Sequence, residues 1–203
     1  MAKSPLQLSN EMLYEKPNLD DNFYRNSFKD GYRVNGNEAR LGKGRLDYLI
    51  EEYGVWNPNE DYSQAYLGFI NPKDFIGSTL TNRDTITKRE IDNPDPMDLE
   101  RINNERQTPF LQVDFDKNRI VGHEGRHRLS SMSKAGVERL PIVFRDMSPS
   151  FEKYKAKAKN YNGVLSGQTF GDDKAKDLNY IGDLIPINYK NASKLRELFG
   201  YNE

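Results

Sequence analysis

Apolar residues are concentrated in short runs that are separated by long polar stretches. The runs at residues 65–70 (AYLGFI), 110–115 (FLQVDF) and 140–144 (LPIVF) have the length and the aromatic and branched content of buried strands. Residues 119–121 (RIV) follow the second run after a short Asp-Lys-Asn segment, which predicts a hairpin with a tight turn. The pattern therefore predicts a small sheet.

Helical composition follows this predicted hairpin. Residues 126–135 predict a helix, and Gly136 is the residue type best suited to a left-handed C-terminal cap. Shorter helices are predicted at residues 45–53, at residues 98–105 with Asp98 as the cap, and in the Lys-rich residues 151–159. Residues 71–72 (NP) are expected to end the first strand in a turn, and residues 76–95 have a loop composition.

These elements predict an α+β fold, a single small α/β domain with two appendages. Residues 1–60 are rich in Asn, Asp, Gly and Tyr, which predicts a partly irregular N-terminal arm outside the core. Residues 61–148 are expected to form the domain. Residues 149–203 are expected to form a helical extension packed on it, ending in an amphipathic segment with Leu195 and Leu198 one helical step apart.

Composition narrows the class of protein further. The 203 residues are 35% hydrophobic and 30% charged, a polar balance that predicts a small core. The net charge of -1 gives the whole chain no attraction to nucleic acid or to an anionic membrane. The absence of cysteine excludes disulfides and thiolate chemistry, and no apolar run is long enough to cross a bilayer. We therefore expect a cytoplasmic protein without a membrane partner.

Both histidines of the chain fall within residues 122–128 (GHEGRHR). A strand that ends in a glycine turn and opens a helix exposes backbone N–H groups at the helix start, where the dipole favours an anion. Gly122 and Gly125 would allow close approach of a ligand to the backbone, and Arg126 and Arg128 carry guanidinium groups suited to phosphate oxygens. The segment predicts a phosphate-binding loop.

Two further observations support an anion site. Residues 116–145 contain seven basic and three acidic side chains in an otherwise balanced chain, so a basic field follows if they cluster in space. Lys73, just after the first predicted strand, is a further candidate for contact with the ligand.

The order of these elements resembles the ParB/sulfiredoxin superfamily over about residues 65–145. The resemblance lies in a helix, a Pro109-Phe-Leu-Gln-Val strand, a short second strand, Gly-x-x-Gly-Arg-His-Arg, a helix ending at Gly136 and a Pro-Ile-Val-Phe strand. It implies a small α/β fold in which a Gly-x-x-Arg segment at a helix start binds nucleotide phosphates. Gly125 matches the motif glycine and Arg128 its arginine, while Glu124 stands where the serine kinases of the superfamily carry an acid.

Departures from the family pattern exclude some of its activities. Sulfinate reductases need a cysteine after the motif glycine, where this chain has Arg126. Partition proteins usually carry an acid at that position and continue into a helix-turn-helix half, which is not recognisable after Arg145. The long motif with an Ile-Asn-Pro-Lys-Asp-Phe segment upstream is also similar to ParB-like modules of bacteriophage polyvalent proteins, which implies a phage-encoded protein.

The resemblance implies an NTP-dependent phosphotransferase or hydrolase, or a nuclease-like activity, with a nucleoside triphosphate and Mg²⁺ as cofactors. Glu124, His127 and His123 would be catalytic, and Gly122, Gly125, Arg126, Arg128 and Lys73 would bind phosphate. The partners would be a nucleotide, and DNA or a phage or host protein. The location would be the host cytoplasm or the virion.

Two alternatives stay open. The first is a non-catalytic module whose basic loop docks a nucleic-acid backbone or a partner protein. The second is a zinc-dependent protease, because residues 123–127 spell H-E-x-x-H and would place His123 and His127 on one face of a helix. The flanking glycines and the strand-like residues 119–121 argue against a helix there.

Overall fold

A five-stranded mixed sheet lies at the centre of this computed structural model, which describes residues 31–54, 63–84, 91–92, 108–149, 163–179 and 183–201. The strands are β1 (Tyr32–Asn35), β2 (Glu38–Leu41), β3 (Ala65–Ile70), β4 (Phe110–Asp114), β5 (Arg119–Glu124), β6 (Leu140–Asp146), β7 (Val164–Leu165), β8 (Thr169–Phe170), β9 (Asp173–Lys174), β10 (Leu178–Asn179) and β11 (Ile185–Pro186). The helices of the described ranges are α1 (Lys43–Gly54), α2 (Pro72–Thr79), α3 (Arg126–Lys134) and α4 (Ala192–Leu198), with a 3₁₀ turn at Tyr189–Asn191.

The order of strands in the central sheet is β11-β3-β6-β4-β5. The pair β4 and β6 is parallel, and the other neighbours are antiparallel. Strands β3 and β6 lie inside the sheet and are buried along most of their length, as expected for strands that are covered on both faces. The predictions of strands at residues 65–70, 110–115 and 140–144 are confirmed, and so is the α+β class.

Helices cover both faces of the sheet. On one face, α2 contacts α3, and Phe75 of α2 meets the His123 ring of β5 edge-on. On the other face, Arg145 of β6 donates to the Tyr53 hydroxyl of α1, and Phe69 of β3 packs near Phe199 after α4. The side chains that fill the core between these layers include Tyr66, Phe75, Phe115, Phe144, Leu67 and Leu111. Each such burial contributes about 1.5–3 kcal/mol.

Residues 31–54 belong to this core, which differs from the irregular arm expected for the first 60 residues. Strands β1 and β2 form a hairpin that bonds through Ala39 to Arg139 beside β6, and Tyr32 donates from its hydroxyl to the Pro141 carbonyl. The helix expected at residues 45–53 is confirmed as α1, and its Leu46 is buried. Apolar residues spaced over two four-residue strands give little periodic signal, although Tyr32, Ala39 and Leu41 are buried and Val34 is partly buried.

Helix α2 replaces the turn and loop that were expected after β3. Asn71 caps it by accepting a hydrogen bond from the Lys73 backbone N–H at 2.9 Å, and Pro72 occupies the first helical position. The dipeptide that was interpreted as a stop is therefore a helix start, because proline is favoured where no N–H donor is needed. Phe75 of this helix is fully buried.

The hairpin and helix predicted around residues 110–135 are confirmed, with one change in length. Strand β5 continues through Gly122 to Glu124, so the expected loop of residues 122–125 shrinks to Gly125 alone. Gly136 has the predicted left-handed conformation after α3, with φ of 80°. A single residue therefore connects strand β5 to helix α3.

The C-terminal region also differs from the expected helical extension. Residues 163–179 carry four short strands, and β11 joins the edge of the central sheet by pairing with β3. In α4, Leu195 is buried whereas Leu198 is exposed. The helices predicted at residues 98–105 and 151–159 lie outside the described residues. The division into arm, domain and extension stays a prediction.

The backbone at Gly125 predicts a large loss of stability on substitution. Gly125 has φ of 110°, and a Cβ there would lie 2.8 Å from the Pro109 Cβ and 3.2 Å from the Pro109 Cα. Gly36 also has positive φ, at 62°, but a Cβ would meet nothing within 4 Å. We expect Gly36→Ala to cost about 1–2 kcal/mol for the left-handed backbone. Gly125→Ala should cost a further 1–3 kcal/mol, roughly, for the forced displacement of Pro109.

Urea denaturation monitored by circular dichroism measures both free energies of unfolding. Equal losses in the two variants would show that Pro109 yields to the added methyl group, contrary to this expectation.

Candidate functional site

The segment predicted to bind phosphate meets the start of α3 at Gly125. Gly125 is the N-cap residue and has no side chain to bond the first N–H groups of the helix. The first helical bond runs from Leu129 N–H to the Gly125 carbonyl at 2.9 Å. The first turn contains no acidic residue. No carboxylate of the same turn therefore neutralises the partial positive charge at this end of the helix.

Arg126 is directed toward α2. Its Nη1 donates to the Thr79 carbonyl at 3.1 Å and lies 3.2 Å from Asp84 Oδ2. Burial opposes ionisation of Asp84, but hydrogen bonds from Thr81 and the charge of Arg126 outweigh it and lower the pKa of that carboxyl. Arg126 thus joins the start of α3 to the end of α2 and to residues 81–84.

Glu124 and Arg128 form a second ion pair across the junction. The distance from Glu124 Oε1 to Arg128 Nη2 is 3.2 Å, and the exposed fractions of the two side chains are 50% and 6%. A buried guanidinium therefore holds a half-exposed carboxylate next to the helix start. Since Glu124 pairs with Phe110 in the sheet register, its side chain lies on the same face as α1.

His123 lies on the opposite face of β5, because neighbouring residues of a strand point to opposite sides. Its Nδ1 lies 2.5 Å from Gln168 Oε1, and Phe75 contacts the ring edge-on. Burial lowers the pKa of His123, and the charge of Arg126 acts in the same direction. The imidazole is therefore neutral near pH 7 and is separated from Glu124 by the plane of the sheet.

The two histidines do not share a helix. His123 lies in β5 and His127 in the first turn of α3, with the left-handed Gly125 between them. The zinc alternative requires both imidazoles on consecutive turns of one helix, and that geometry is not formed. Over the described ranges, no group of three or more His, Cys, Asp or Glu side chains is placed to hold a metal ion.

Two predicted phosphate ligands lie away from the start of α3. Gly122 is inside β5 opposite Gln112, and the end of the Gln112 side chain occupies the place that a Cβ of residue 122 would take. Lys73 is exposed in the first turn of α2, whereas the last residue of that helix, Thr79, contacts Arg126. Lys73 instead lines a cavity of about 510 Å³ between α2 and α3, together with Lys134 at the far end of α3.

The seven basic residues expected to cluster are distributed over the molecule. Lys117 and Arg119 lie 3.8 and 3.7 Å from Asp114 in the β4–β5 hairpin. Arg139 pairs with Glu38 at 3.6 Å, and Arg145 lies over the Phe110 ring. Of the seven, Arg126 and Arg128 belong to the start of α3, and Arg145 lies near it because Phe110 pairs with Glu124.

Sequence analysis did not predict that the N-terminal hairpin reaches β6, where the Tyr32 hydroxyl donates to the Pro141 carbonyl. Burial raises the pKa of Tyr32 and lowers the pKa of Arg45, and the charge of Arg128 lowers both.

The chain was compared with protein-family models, with curated proteins and with solved structures, and none of these comparisons found a match. Its fold is that of a small α+β protein in which a strand passes directly into a helix at Gly125. Among the helices of the described ranges, none has the length and apolar character needed to cross a bilayer.

The lowered pKa of His123 predicts a pH dependence of stability. The folded protein binds fewer protons at this site than the unfolded chain, whose histidine pKa is about 6.5. The contribution is complete above that value and is lost as the pH falls from it toward the lowered pKa. Acidification from about pH 7.5 to about 5.5 should therefore lower the melting temperature of the wild type more than that of His123→Asn.

The matched control is His127→Asn, which retains His123 and should keep the wild-type response. If His123→Asn responds to acid as strongly as the wild type does, burial of this imidazole does not control the effect.

Proposed function

We propose that this chain is a nucleotide-phosphate-binding protein of the ParB/sulfiredoxin type that transfers or hydrolyses the terminal phosphoryl group of a nucleoside triphosphate. The observation that carries the proposal is the half-exposed Glu124 carboxylate, held 3.2 Å from the buried Arg128 beside an uncapped helix start. Phosphate binding and an adjacent acid or base are the two requirements of this chemistry.

Phosphate oxygens would accept hydrogen bonds from the N–H groups of the first turn of α3. Gly125 supports this contact because its backbone turns the chain from strand to helix in a single residue. The buried Arg128 guanidinium adds positive charge at the junction and orients the Glu124 carboxylate. Arg126 points toward Asp84, so its main contribution is to hold the helix in position and not to contact the ligand.

In the proposed reaction, the oxygen of water or of an acceptor hydroxyl attacks the terminal phosphorus. The bond between that phosphorus and the bridging oxygen breaks, and the nucleoside diphosphate leaves with the bonding electron pair. Glu124 receives the proton of the attacking oxygen, and His127 in the first turn of α3 is the second candidate for handling protons. His123, on the opposite face of β5, is assigned a structural role.

Mg²⁺ would be held by the phosphate oxygens of the nucleotide and by water, because this ion usually keeps several of its waters. Glu124 would lie beside it as the proton acceptor. When bound, Mg²⁺ supplies charge neutralisation on the phosphate oxygens.

A phage origin, and a location in the host cytoplasm or the virion, are parts of the same proposal that depend on the family resemblance alone. The alternative of a nucleic-acid-docking module has less support, since the basic residues that suggested it are spread over the molecule.

A thermal-shift experiment with ATP, CTP or GTP and Mg²⁺ tests the binding part of the proposal, because a ligand of the folded state raises the melting temperature. Turnover is then measured as phosphate release. We expect Glu124→Gln to keep the thermal shift while its rate falls by about 10²–10⁴, since it removes the proton acceptor and preserves shape.

Glu197→Gln, an exposed substitution on α4, is the control and should match the wild type in both measurements. The proposed function is wrong if no nucleotide shifts the melting temperature. Its catalytic part alone is wrong if Glu124→Gln turns over at the wild-type rate.

A further inference from the structure

Phe170 places an aromatic ring in solvent. It is 65% exposed, more than any other large apolar residue that the structure describes, and it does not belong to the hydrophobic core. The ring therefore contributes little to the stability of the fold. A flat aromatic surface of this kind is what nucleobases stack on in proteins that bind nucleotides or single strands.

The β8–β9 hairpin fixes the direction of this side chain. Gly171 and Asp172 form its two-residue turn, and φ of 62° at Gly171 is the left-handed conformation that such a turn needs at its first position. Phe170 and Asp173 are cross-strand partners. Partners in an antiparallel pair carry their side chains on the same face of the ladder. The Phe170 ring therefore shares a face with the Asp173 carboxylate.

That face of the hairpin meets residues 82–84. The Asp173 carboxylate accepts hydrogen bonds from the Arg83 backbone N–H at 3.0 Å and from the Asn82 side-chain amide at 3.3 Å. A Cβ at Gly171 would lie 3.0 Å from Arg83 Nη1, so the guanidinium lies against the turn. Arg83 is exposed. An exposed ring and an exposed guanidinium are thus held at the same turn.

The hairpin lies within reach of the start of α3. Asp84 follows Arg83 in the chain, and its Oδ2 lies 3.2 Å from Nη1 of Arg126, the first residue of α3. One arginine side chain, one residue of backbone and one hydrogen bond therefore separate the helix start from the hairpin. This span is comparable with the length of an extended nucleoside triphosphate.

The end of α2 anchors both places. The Ser78 carbonyl accepts from Gln168 N–H at 2.9 Å and the Gly77 carbonyl accepts from Lys176 N–H at 3.0 Å, on the two sides of the hairpin. The next carbonyl, that of Thr79, accepts from the side chain of the first α3 residue at 3.1 Å. A surface that is held in this way loses little conformational entropy when a ligand binds to it.

We propose that the base of a nucleotide stacks on the Phe170 ring, with the Arg83 guanidinium beside it, while its phosphates lie on the start of α3. The inference rests on the proposed function and names the residues that contact the other end of the ligand. The site then takes nucleotides in preference to bare polyphosphates. Because stacking accepts every base, purine and pyrimidine nucleotides all bind, and purines bind more tightly because their rings are larger.

Isothermal titration calorimetry of the full chain with ATP and with inorganic tripolyphosphate, each with Mg²⁺, tests the stacking. We expect Phe170→Ala to weaken ATP binding by roughly 5- to 100-fold, the effect of losing one stacked base, and to leave tripolyphosphate binding unchanged. Leu198→Ala, which shortens an exposed apolar side chain of α4, is the control and should bind both ligands as the wild type does.

Phe170→Trp supplies a spectroscopic measurement of the same contact. The variant keeps an aromatic surface and should keep the wild-type affinity for ATP. Its additional tryptophan fluorescence should fall when ATP binds, because a stacked base quenches an indole, and should not change with tripolyphosphate. The wild type, whose one tryptophan is Trp56, gives the background signal.

Arg83→Gln tests the guanidinium, since arginine planes also stack on bases. We expect a several-fold loss of ATP affinity and no loss for tripolyphosphate. Arg40→Gln, at an exposed arginine of β2, is the matched control and should bind as the wild type does. An equal loss for both ligands would place the Arg83 guanidinium on the phosphates and remove it from the base site.

The two ligands separate this inference from the proposed function. Equal ATP affinity of Phe170→Ala and wild type overturns the stacking and leaves the proposed function standing. Equal losses of ATP and tripolyphosphate affinity in Phe170→Ala also overturn it, because the hairpin would then act on the phosphate site. If the wild type binds neither ligand, both proposals are wrong.

Discussion

The change of backbone direction at Gly125 is the constraint on which the rest of the site depends. Strand β5 ends one residue before it and α3 begins one residue after it, so a single residue in the left-handed region carries the whole turn. The close approach of Pro109 leaves no room for a side chain there. Because no flexible loop intervenes, the side chains on either side of Gly125 have fixed relative positions, as an anion site at a helix start requires.

That rigidity gives neighbouring residues different surroundings. His123 lies among α2 and Gln168, while Glu124 lies on the α1 face with Arg128. One side of the heptapeptide therefore contributes to packing and the other to the proposed chemistry. The H-E-x-x-H spacing does not place the two histidines on one face for the same reason, because a strand and a helix present their side chains with different periods.

The elements that the sequence predicted well are those whose signal is local. Strands β3 and β6 are buried on both faces and appear as continuous apolar runs, and Gly125 and Gly136 mark the two ends of α3. Helix α2 was missed because Asn71-Pro72 fits a strand end and a helix start equally well.

The helix start at Gly125 and the acid beside it could be predicted from the heptapeptide, but the contacts around them could not. The pairing of Arg126 with Asp84, the position of Lys73 at the end of α2 away from Arg126, and the bond from Tyr32 to Pro141 depend on contacts between distant parts of the chain. Periodicity and composition carry no information about such contacts.

The hydrogen bond from Tyr32 to Pro141 spans 109 residues, and that from Tyr201 to Leu41 spans 160. The chain loses conformational entropy when it closes such long loops, and the stabilising contacts form only afterwards. Folding is therefore slower than in proteins with mainly local contacts. During synthesis, the hairpin and α1 emerge from the ribosome long before β6 is available to receive them. Their apolar side chains are then exposed to chaperones and to other nascent chains, and the surroundings of Gly125 are complete only after β6, which bonds to Pro109, has been made.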